Sequence, residues 1–296
     1  MIVVFGSLNA DLIFALDELP MPGQTLLARK LTIEAGGKGA NQAVAAARDG
    51  ASVVMVGAVG RDPLADVALV NLQDAGVDLA HVAAVEAPTG TASVLTDAHG
   101  RNMIAVALGA NEQACASQIS DALLARANII VLQMENRAEE IEAVIRRANL
   151  AGKRTILNLA PARRIATDVL RLCGLIVVNE DEAEALGAWL SCGASADALR
   201  AVLGVDIIRT LGAEGSEAAT ADSRIFVPAR PITPVDTTAA GDCYVGVLAA
   251  ALDAGATLES AMWRATAAAA LACTKAGSQS SLPWADAIRR NLADHP

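Results

Sequence analysis

The residues Ala239, Ala240 and Gly241 stand directly before Asp242 in the stretch VDTTAAGDCYVG, and a helical pattern follows them. A helix N-terminus offers free backbone N–H groups and a partial positive charge, and small residues ahead of it let an anion approach the backbone. A carboxylate in the first turn could then accept a proton from an attacking hydroxyl while the amides hold a phosphoryl group. The residues alone leave a second interpretation open, in which the acid stabilises the helix dipole and AAG is a plain turn.

A second group of polar residues lies near the N-terminus. The stretch GGKGANQAVAAAR (36–48) places glycines before a helix whose start carries Lys38 and Asn41. Backbone N–H groups, an ammonium group and an amide together suit a polyhydroxyl ligand. In GSLNAD, Asn9 and Asp11 point the same way on an extended chain, so they could hold two sugar hydroxyls. Ordinary turn chemistry accounts for both motifs as well.

Three further motifs follow predicted strands. Glu135 in LQMEN comes after one strand, and VVNEDEAEAL places Asn179 and Glu182 after another. TLGAEGSE places Gly212 and Gly215 after a third. Ligands of open α/β sheets bind at this edge, which favours a site there. Each motif taken alone has an equally good alternative explanation. Glu135 could be a solvated acid, VVNEDEAEAL could be an acidic helix start, and TLGAEGSE could be a glycine turn.

Buried strands alternating with helices must position these residues. Continuously apolar runs predict strands at 2–6, 52–57, 128–133, 154–159, 174–179 and 206–212. Helical patterns lie at 39–49, 62–75, 117–127, 137–151, 180–189, 195–203, 241–254, 257–275 and 284–292. This alternation predicts an α/β fold with a doubly wound, mostly parallel sheet flanked by helices. Residues 8–34 and 88–106 break the rhythm and predict a small accessory sheet, with a hairpin around Asp97–Gly100.

Composition excludes several classes of function. The chain has 296 residues and a net charge of −10, which argues against a nucleic-acid binder. The five cysteines lie far apart and the three histidines lack zinc-ligand spacing, which predicts free thiols in a reducing compartment. We find no signal-peptide pattern and no apolar run long enough to span a bilayer, so we expect a cytoplasmic protein. Neither a P-loop nor a complete G-x-G-x-x-G motif is present.

In chain order, these motifs resemble those of the pfkB-type carbohydrate kinases. The resemblance runs nearly end to end through GSLNAD, GGKGANQAVAAAR, NLAPAR, NEDEAE, TLGAEG, DTTAAGD and KAGSQSSLPW. GGKGANQ and DTTAAGD at this separation form a specific signature. The resemblance implies a ribokinase-like α/β core formed by residues 1–7, 35–87 and 107–296. It also implies a β-sheet lid, formed by residues 8–34 and 88–106, that excludes water and carries the contacts of a homodimer.

The resemblance also implies a role for each residue of the site. Asp242 would be the catalytic base, with Ala239, Ala240 and Gly241 forming an anion hole beside it. The sugar would contact Asn9, Asp11, Gly37, Lys38, Gly39, Asn41, Ala92, Ile104, Glu135 and Asp242. ATP would contact Asn179, Thr210, Leu211, Gly212, Ala213, Glu214, Gly215, Gly241 and Thr266. Glu182 would hold Mg²⁺ through water, and K⁺ would lie near Asp236, Thr238, Ala272, Lys275, Gly277 and Ser281.

The implied reaction is transfer of the ATP γ-phosphoryl group to a sugar hydroxyl. GSLNAD and NLAPAR (158–163) favour the 5-hydroxyl of D-ribose as acceptor, and the alternatives within the family are fructose, deoxyribose, a deoxysugar acid and a nucleoside. The chain departs from the usual pattern at Thr266, at Cys243–Tyr244, at Val247 and at the SQSS stretch. Rivals from other classes are a sugar-binding protein without catalysis, disfavoured by the intact AAGD, and an oxidoreductase, disfavoured by the missing dinucleotide motif. We expect no nucleic-acid or membrane partner.

Overall fold

A computed structural model describes residues 1–99 and 101–294 of the chain. Gly100, which belongs to the predicted hairpin turn, and His295 lie outside the described residues. The strands are β1 (Ile2–Phe5), β2 (Asn9–Ala15), β3 (Lys30–Gly36), β4 (Val53–Gly60), β5 (Asp78–Val85), β6 (Gly90–Thr96), β7 (Asn102–Ala107), β8 (Ile129–Leu132), β9 (Arg154–Asn158), β10 (Leu175–Val178), β11 (Asp206–Thr210), β12 (Gly215–Ala219) and β13 (Arg224–Pro228). The α-helices are α1 (Lys38–Arg48), α2 (Pro63–Asp74), α3 (Asp121–Arg126), α4 (Ala138–Leu150), α5 (Thr167–Leu170), α6 (Glu180–Leu190), α7 (Ala196–Leu203), α8 (Ala240–Asp253), α9 (Leu258–Cys273) and α10 (Ala285–Asp294).

The larger sheet has nine strands in the order β13-β12-β11-β10-β9-β8-β1-β4-β5. The pairs from β11 to β5 are parallel, and β12 and β13 add an antiparallel edge. In chain order, β4 first pairs with one side of β1, and β8 later pairs with its other side. The strand order therefore reverses at β1, and the crevice at the carboxyl ends of β1 and β8 is the expected position for a ligand. The predicted doubly wound α/β fold is confirmed.

Both faces of this sheet are covered, which explains the continuously apolar strand sequences. Alternate residues of β1 enter two different cores, with Val4 in one and Val3 and Phe5 in the other. The first core includes α1, α8 and α9, and the second includes α4, α6 and α7. A parallel strand buried on both sides has no solvated face, so it loses the polar alternation of an edge strand.

Three strands of the large sheet were not predicted, and all lie toward its edges. Strand β5 is partly exposed along its length. Strand β12 has the sequence GSEAA, whose small residues have low β propensity. These segments become strands because they pair with β4 and β11, which is a tertiary effect that local sequence does not report.

The smaller sheet has four strands in the order β3-β2-β6-β7 and comes from the two segments that broke the βα rhythm. Three residues separate the end of β1 from the start of β2, so the small sheet begins at the carboxyl edge of the large one. Residues paired across β3, β2, β6 and β7 share a face of this sheet. Glu34, Asp11, Ala92 and Val106 form one such row.

Helices α1 and α8 lie in direct contact because one residue at their crossing has no side chain. A Cβ atom at Gly246 would collide with the main-chain oxygen of Gln42 and the Cβ of Ala45. This close approach brings the first turn of α8 beside the first turns of α1.

Among the described helices, none is both long enough and apolar enough to cross a membrane.

Candidate active site

A buried carboxylate lies at the carboxyl end of β8, held by groups from two other elements. Glu135 is 7% exposed, and its Oε2 accepts hydrogen bonds from Ser7 Oγ at 2.6 Å and from the main-chain N–H of Lys38 at 3.1 Å. The main-chain N–H of Gly39 donates to Ser7 Oγ at 3.2 Å. The start of α1, the exit of β1 and the end of β8 therefore meet at one point.

Gly37 makes this meeting sterically possible. Its φ is 89°, which side chains rarely adopt, and a Cβ atom there would lie 2.9 Å from both Asn9 N and Ser7 O. The glycines that sequence reasoning assigned to ligand contact thus have a structural reason as well, since they let α1 begin against the chain leaving β1.

Asn9 and Asp11 both lie on β2, but their surroundings differ. Asn9 Oδ1 accepts a hydrogen bond from Asn111 Nδ2 at 2.8 Å, and Asn111 Oδ1 in turn accepts from the main-chain N–H of Leu8 at 2.9 Å. Asn111 is fully buried in a 3-10 turn after β7, and no sequence signal pointed to it. For Asp11, by contrast, no donor among residues 1–99 and 101–294 reaches the buried Oδ1 atom.

The carboxyl group of Asp11 is therefore an acceptor without a partner in a negatively charged setting. Burial, and then the charges of Glu135, Asp242 and Glu34, raise the pKa of Asp11 to about 7. The charge of Asp242, followed by that of Glu135, raises the pKa of Lys38 although burial acts to lower it. These groups form one electrostatic cluster, which a ligand rich in hydroxyl donors would satisfy.

Asp242 lies in the first turn of α8, 6% exposed, with both carboxylate oxygens engaged by amides of α1. Asn41 Nδ2 donates to Oδ2 at 2.9 Å, and Gln42 Nε2 donates to Oδ1 at 2.8 Å. Gln42 was not among the predicted site residues, although it lies inside the quoted GGKGANQ motif. Asp242 therefore faces the site rather than either apolar core.

The residues before Asp242 leave the start of α8 open. Ala239 adopts φ 58°, a left-handed conformation uncommon for a residue with a side chain. Gly241 is exposed, and a Cβ atom there would meet no atom within 4 Å. The N–H of Ala240 donates to the carbonyl of Thr237 at 3.2 Å, so this amide is already engaged.

A cleft of about 410 Å³ opens on this helix start. Its lining includes six residues that were predicted to contact nucleotide: Thr210, Gly212, Ala213, Gly215, Gly241 and Thr266. Three others predicted there, Asn179, Leu211 and Glu214, do not contribute to the lining. The cleft has the size of a small-molecule site.

Thr266 and Tyr244 both contribute hydroxyl-bearing side chains to the lining of the cleft. Within the described part of the chain, the buried Thr266 Oγ1 has no hydrogen-bond partner, so it is available to a ligand. Tyr244, which sequence reasoning noted only as a departure, lines the cleft and shares a 3.0 Å hydrogen bond with Ser216. Its hydroxyl thus holds α8 against β12.

Asn179 and Glu182 form a reciprocal cap at the start of α6. The N–H of Glu182 donates to Asn179 Oδ1, and the N–H of Asn179 donates to Glu182 Oε2, each at 2.8 Å. Burial raises the pKa of Glu182, and the charges of Lys38 and Asp242 also act on it. Glu182 thus belongs to the electrostatic cluster even though it also caps its helix. No group of three or more His, Cys, Asp or Glu side chains in the described chain could hold a metal by itself.

The loop before α8 is tied to the loop after α9 through one carboxylate. Asp236 accepts from the N–H of Thr238 and from that of Gly277, each at 2.9 Å. Although burial acts to raise it, these hydrogen bonds hold the pKa of Asp236 below its usual value. Nearby, the Lys275 N–H donates to the Ala272 carbonyl at 3.2 Å, and Ser281 Oγ donates to the Ser278 carbonyl at 2.8 Å. The oxygens gathered there are hard donors of the kind that bind monovalent cations.

The two apolar residues predicted to close over a sugar lie on the small sheet. Ala92 is directly opposite Asp11 in the pairing of β2 with β6. Ile104 is paired with Val94, two residues along β6 from Ala92, so it shares the face of Asp11. Ala92 is buried and Ile104 is 56% exposed.

Comparison with known proteins identifies the family. Residues 1–285 match the sequence model of the pfkB family of carbohydrate kinases. The chain is 33% identical over 290 residues to a ribokinase of Haemophilus influenzae, covering 95% of both chains. It is 35% identical over 301 residues to a deoxyribokinase of Salmonella typhi, covering 99% of this chain and 98% of that one. The structure of Arabidopsis thaliana ribokinase complexed with ribose and ATP matches with a TM-score of 0.89, 30% identity and 98% coverage of both chains.

The chain therefore belongs to the pfkB family of carbohydrate kinases, as its motifs predicted. It is a kinase that transfers phosphate to a sugar hydroxyl.

The raised pKa of Asp11 generates a prediction about stability in the absence of ligands. The fold favours the protonated form of Asp11. The contribution of this residue to the unfolding free energy is therefore complete below its unfolded pKa of about 3.9, and it is lost as the pH rises through about 7. Asp11→Asn stays neutral throughout and escapes this loss. From pH 4 to pH 8, we expect the wild type to lose roughly 2–4 kcal/mol of unfolding free energy relative to this variant.

Urea unfolding across this pH range measures the effect. Asp222→Asn, at an exposed turn between β12 and β13, is the matched control and should keep a constant difference from the wild type. A constant difference for Asp11→Asn as well would contradict the assignment.

Proposed function

We propose that this chain transfers the γ-phosphoryl group of ATP to the 5-hydroxyl of D-ribose, giving ribose 5-phosphate and ADP. One observation carries the proposal: the buried Asp242 carboxylate lies between the Asp11–Lys38–Glu135 cluster and a cleft that opens on the start of α8. The complex of ribose and ATP with the Arabidopsis relative supports the choice of both substrates.

Asp242 acts as the general base. As the sugar oxygen attacks, its O–H bond breaks and the proton passes to the Asp242 carboxylate. The new O–P bond forms while the bond from the γ-phosphorus to the bridging oxygen of ADP breaks. The amides of Asn41 and Gln42 hold the carboxylate at fixed orientation from behind, so it is aimed before substrate arrives.

The helix start supplies electrostatic stabilisation of the transferring group. The N–H groups of Gly241 and Asp242 point along the α8 axis at its positive end, where Gly241 leaves the approach open. The Ala240 amide is engaged with Thr237, so its part in the anion hole, with that of Ala239, is to shape the turn. Water must be excluded, since it would compete as acceptor.

The sugar is held by the cluster around Asp11. The partnerless Asp11 carboxylate accepts sugar hydroxyls, with Asn9, Lys38 and Glu135 beside it and the backbone of Gly37 and Gly39 below. Asn41 contributes mainly through Asp242, because its NH₂ group is already donated there. Ala92 and Ile104 cover the sugar from the small sheet.

ATP occupies the cleft, with its base near Thr266 and its phosphates toward Gly241. Asn179, Leu211 and Glu214 support the surrounding segments without lining the cleft.

Two cations accompany the reaction. Bound Mg²⁺ neutralises phosphate charge, and Glu182, coupled to Lys38 and Asp242, would hold its water ligands. K⁺ would be held by oxygens of the two loops that Asp236 joins, with contributions from Thr238, Ala272, Lys275, Gly277 and Ser281.

The small sheet acts as the lid and as the contact surface of a homodimer. One face carries Asp11 and turns toward the sugar. The opposite face carries Leu31, Ile33 and Met103, which are 49%, 45% and 50% exposed and share that face by strand pairing. Exposed apolar side chains on one face of an open sheet favour pairing with a second copy.

An acceptor panel tests the substrate. With ATP, Mg²⁺ and K⁺ present, we expect ADP release to be fastest with D-ribose among ribose, deoxyribose, fructose and adenosine. The deoxyribokinase relative makes deoxyribose the strongest rival. A higher kcat/KM for deoxyribose than for ribose would overturn the substrate assignment and leave the kinase mechanism intact.

Substitution of the base tests the mechanism. Asp242→Asn keeps the shape of the side chain but cannot accept the proton, so we expect kcat to fall by at least ~10²-fold. Asp222→Asn is the exposed control and should keep wild-type kcat. Near wild-type turnover of Asp242→Asn would remove this residue from the base role.

Charge on the exposed face of the lid tests the homodimer. Leu31→Glu would place a carboxylate inside the proposed contact, so light scattering at micromolar concentration should give half the wild-type mass. Phe226→Glu alters a residue of similar exposure on β13 and should leave the mass unchanged. A wild-type protein that is monomeric under these conditions would refute the dimer.

A further inference from the structure

The carboxylate of Asp242 fixes the orientation of the two amides that touch it. A carboxylate only accepts hydrogen bonds, so Asn41 and Gln42 must both present their NH₂ groups to it, as they do at 2.9 and 2.8 Å. Their amide oxygens therefore face away from Asp242, into the protein. Both side chains are buried, so these oxygens need partners there.

Each of these oxygens accepts from a second buried amide. Gln133 Nε2 donates to Gln42 Oε1 at 2.7 Å, and Gln279 Nε2 donates to Asn41 Oδ1 at 3.0 Å. Gln133 is 0% exposed and Gln279 is 1% exposed. Two chains of hydrogen bonds thus converge on Asp242, one through Gln42 and one through Asn41.

The outer glutamines come from separate elements, and each has a feature that seats it. Gln133 directly follows β8, beside Gly6 at the end of β1, where a Cβ atom would collide with Gln133 Oε1. Gln279 lies in the loop before α10, and Arg48 of α1 donates to its main-chain oxygen at 2.7 Å. The same guanidinium stacks on Trp284 at 5.3 Å, which anchors the loop to α1.

The second amide in each chain prevents the first from flipping. A glutamine amide that rotated by half a turn would direct its oxygen at the carboxylate, which is repulsive. With Gln133 in place, a flipped Gln42 would also set two NH₂ groups against each other. Within the described chain the oxygens of Gln133 and Gln279 have no partner, so the outer glutamines act by donating to the inner amide oxygens, which favours the inner orientation that stabilises the carboxylate.

We propose that Gln133 and Gln279 are positioning residues that orient Gln42 and Asn41 and, through them, the proton-accepting carboxylate of Asp242. The inference rests on the proposed function of Asp242 as general base. Gln133 and Gln279 act on the reaction only through the inner amides.

The charged groups around Asp242 are separate from these chains. Lys38 at the start of α1, Asp11 on β2 and Glu182 on α6 interact electrostatically with its carboxylate, and the thiol of Cys243 adjoins it on α8. None of these four residues is altered when an outer or inner glutamine is replaced. A change in the pH–kcat profile of such a variant is therefore attributed to the altered amide hydrogen bonds.

The test compares Gln42→Met, Gln133→Met and the double variant, since methionine matches glutamine in length but offers no N–H donor. Assays use the best acceptor of the panel. We expect Gln42→Met to lower kcat by about 10–100-fold, the usual effect of losing a hydrogen bond to a charged group. The acidic limb of the pH–kcat profile of this variant should move to higher pH, because the ionised Asp242 carboxylate has lost a hydrogen-bond donor.

Gln133→Met should lower kcat by a smaller factor and move the profile the same way, with the KM for sugar nearly unchanged. Because Gln133 acts through Gln42, the double variant should match Gln42→Met rather than multiply the two effects. Gln279→Met tests the hydrogen bonds that run through Asn41 in the same way. It provides a second test of the proposal if thermal unfolding shows that Gln133→Met is unfolded.

Gln118→Met is the control, since Gln118 is a structural glutamine that donates to the carbonyls of Gly57 and His81. It should lower the thermal midpoint and leave the pH–kcat profile unchanged. Wild-type kcat and profile in Gln133→Met, or independent effects that multiply in the double variant, would overturn the inference. An active Asp242→Asn would instead overturn the assignment of the base, so the two failures are distinguishable.

Discussion

The burial of like charges at one edge of the large sheet is the constraint on which the rest of the site depends. The charges of Glu135 and Asp242 both act on Asp11 at this edge, and Lys38 is the cation that interacts with all three. Carboxylates removed from water require donors, and the fold supplies them from a main-chain N–H group, a serine hydroxyl and the side-chain amides of Asn41 and Gln42. Among the buried carboxylate oxygens of the described residues, Asp11 Oδ1 is the one without a partner, at the position where a polyhydroxyl substrate would complete the set.

Close backbone approach is what allows these donors to reach their acceptors. Gly37 lets α1 begin against the chain leaving β1, and Gly246 lets α8 lie directly on α1. A side chain at either position would separate elements whose polar groups must lie within hydrogen-bond distance of each other. The packing of small residues between helices is therefore part of the chemistry, because it sets the distance between Asp242 and the amides of α1.

Much of the architecture could be predicted from local sequence. Continuous apolar runs predicted the central strands because both faces of the sheet are covered, and helix bounds agreed to within a few residues. Two of the three large-sheet strands that escaped prediction, β5 and β12, owe their conformation to neighbours along the sheet edge rather than to their own residues. The same distinction holds in the site: GGKGANQ and AAGD carry visible patterns, whereas Asn111 and Gln133 are single amides whose importance appears only through their partners.

The sequence by itself determined the family, the alternation of strands and helices, and the placement of candidate polar residues at strand ends and helix starts. These features follow from local periodicity and from motifs that are contiguous in the chain. Only the tertiary structure decided which polar atoms meet: that Asn41 faces Asp242, that Gln133 and Gln279 stand behind the inner amides, and that Asp11 is left without a donor. Hydrogen bonds are specific in distance and direction, and those between residues more than 90 positions apart are set by how the elements pack, which no local pattern encodes.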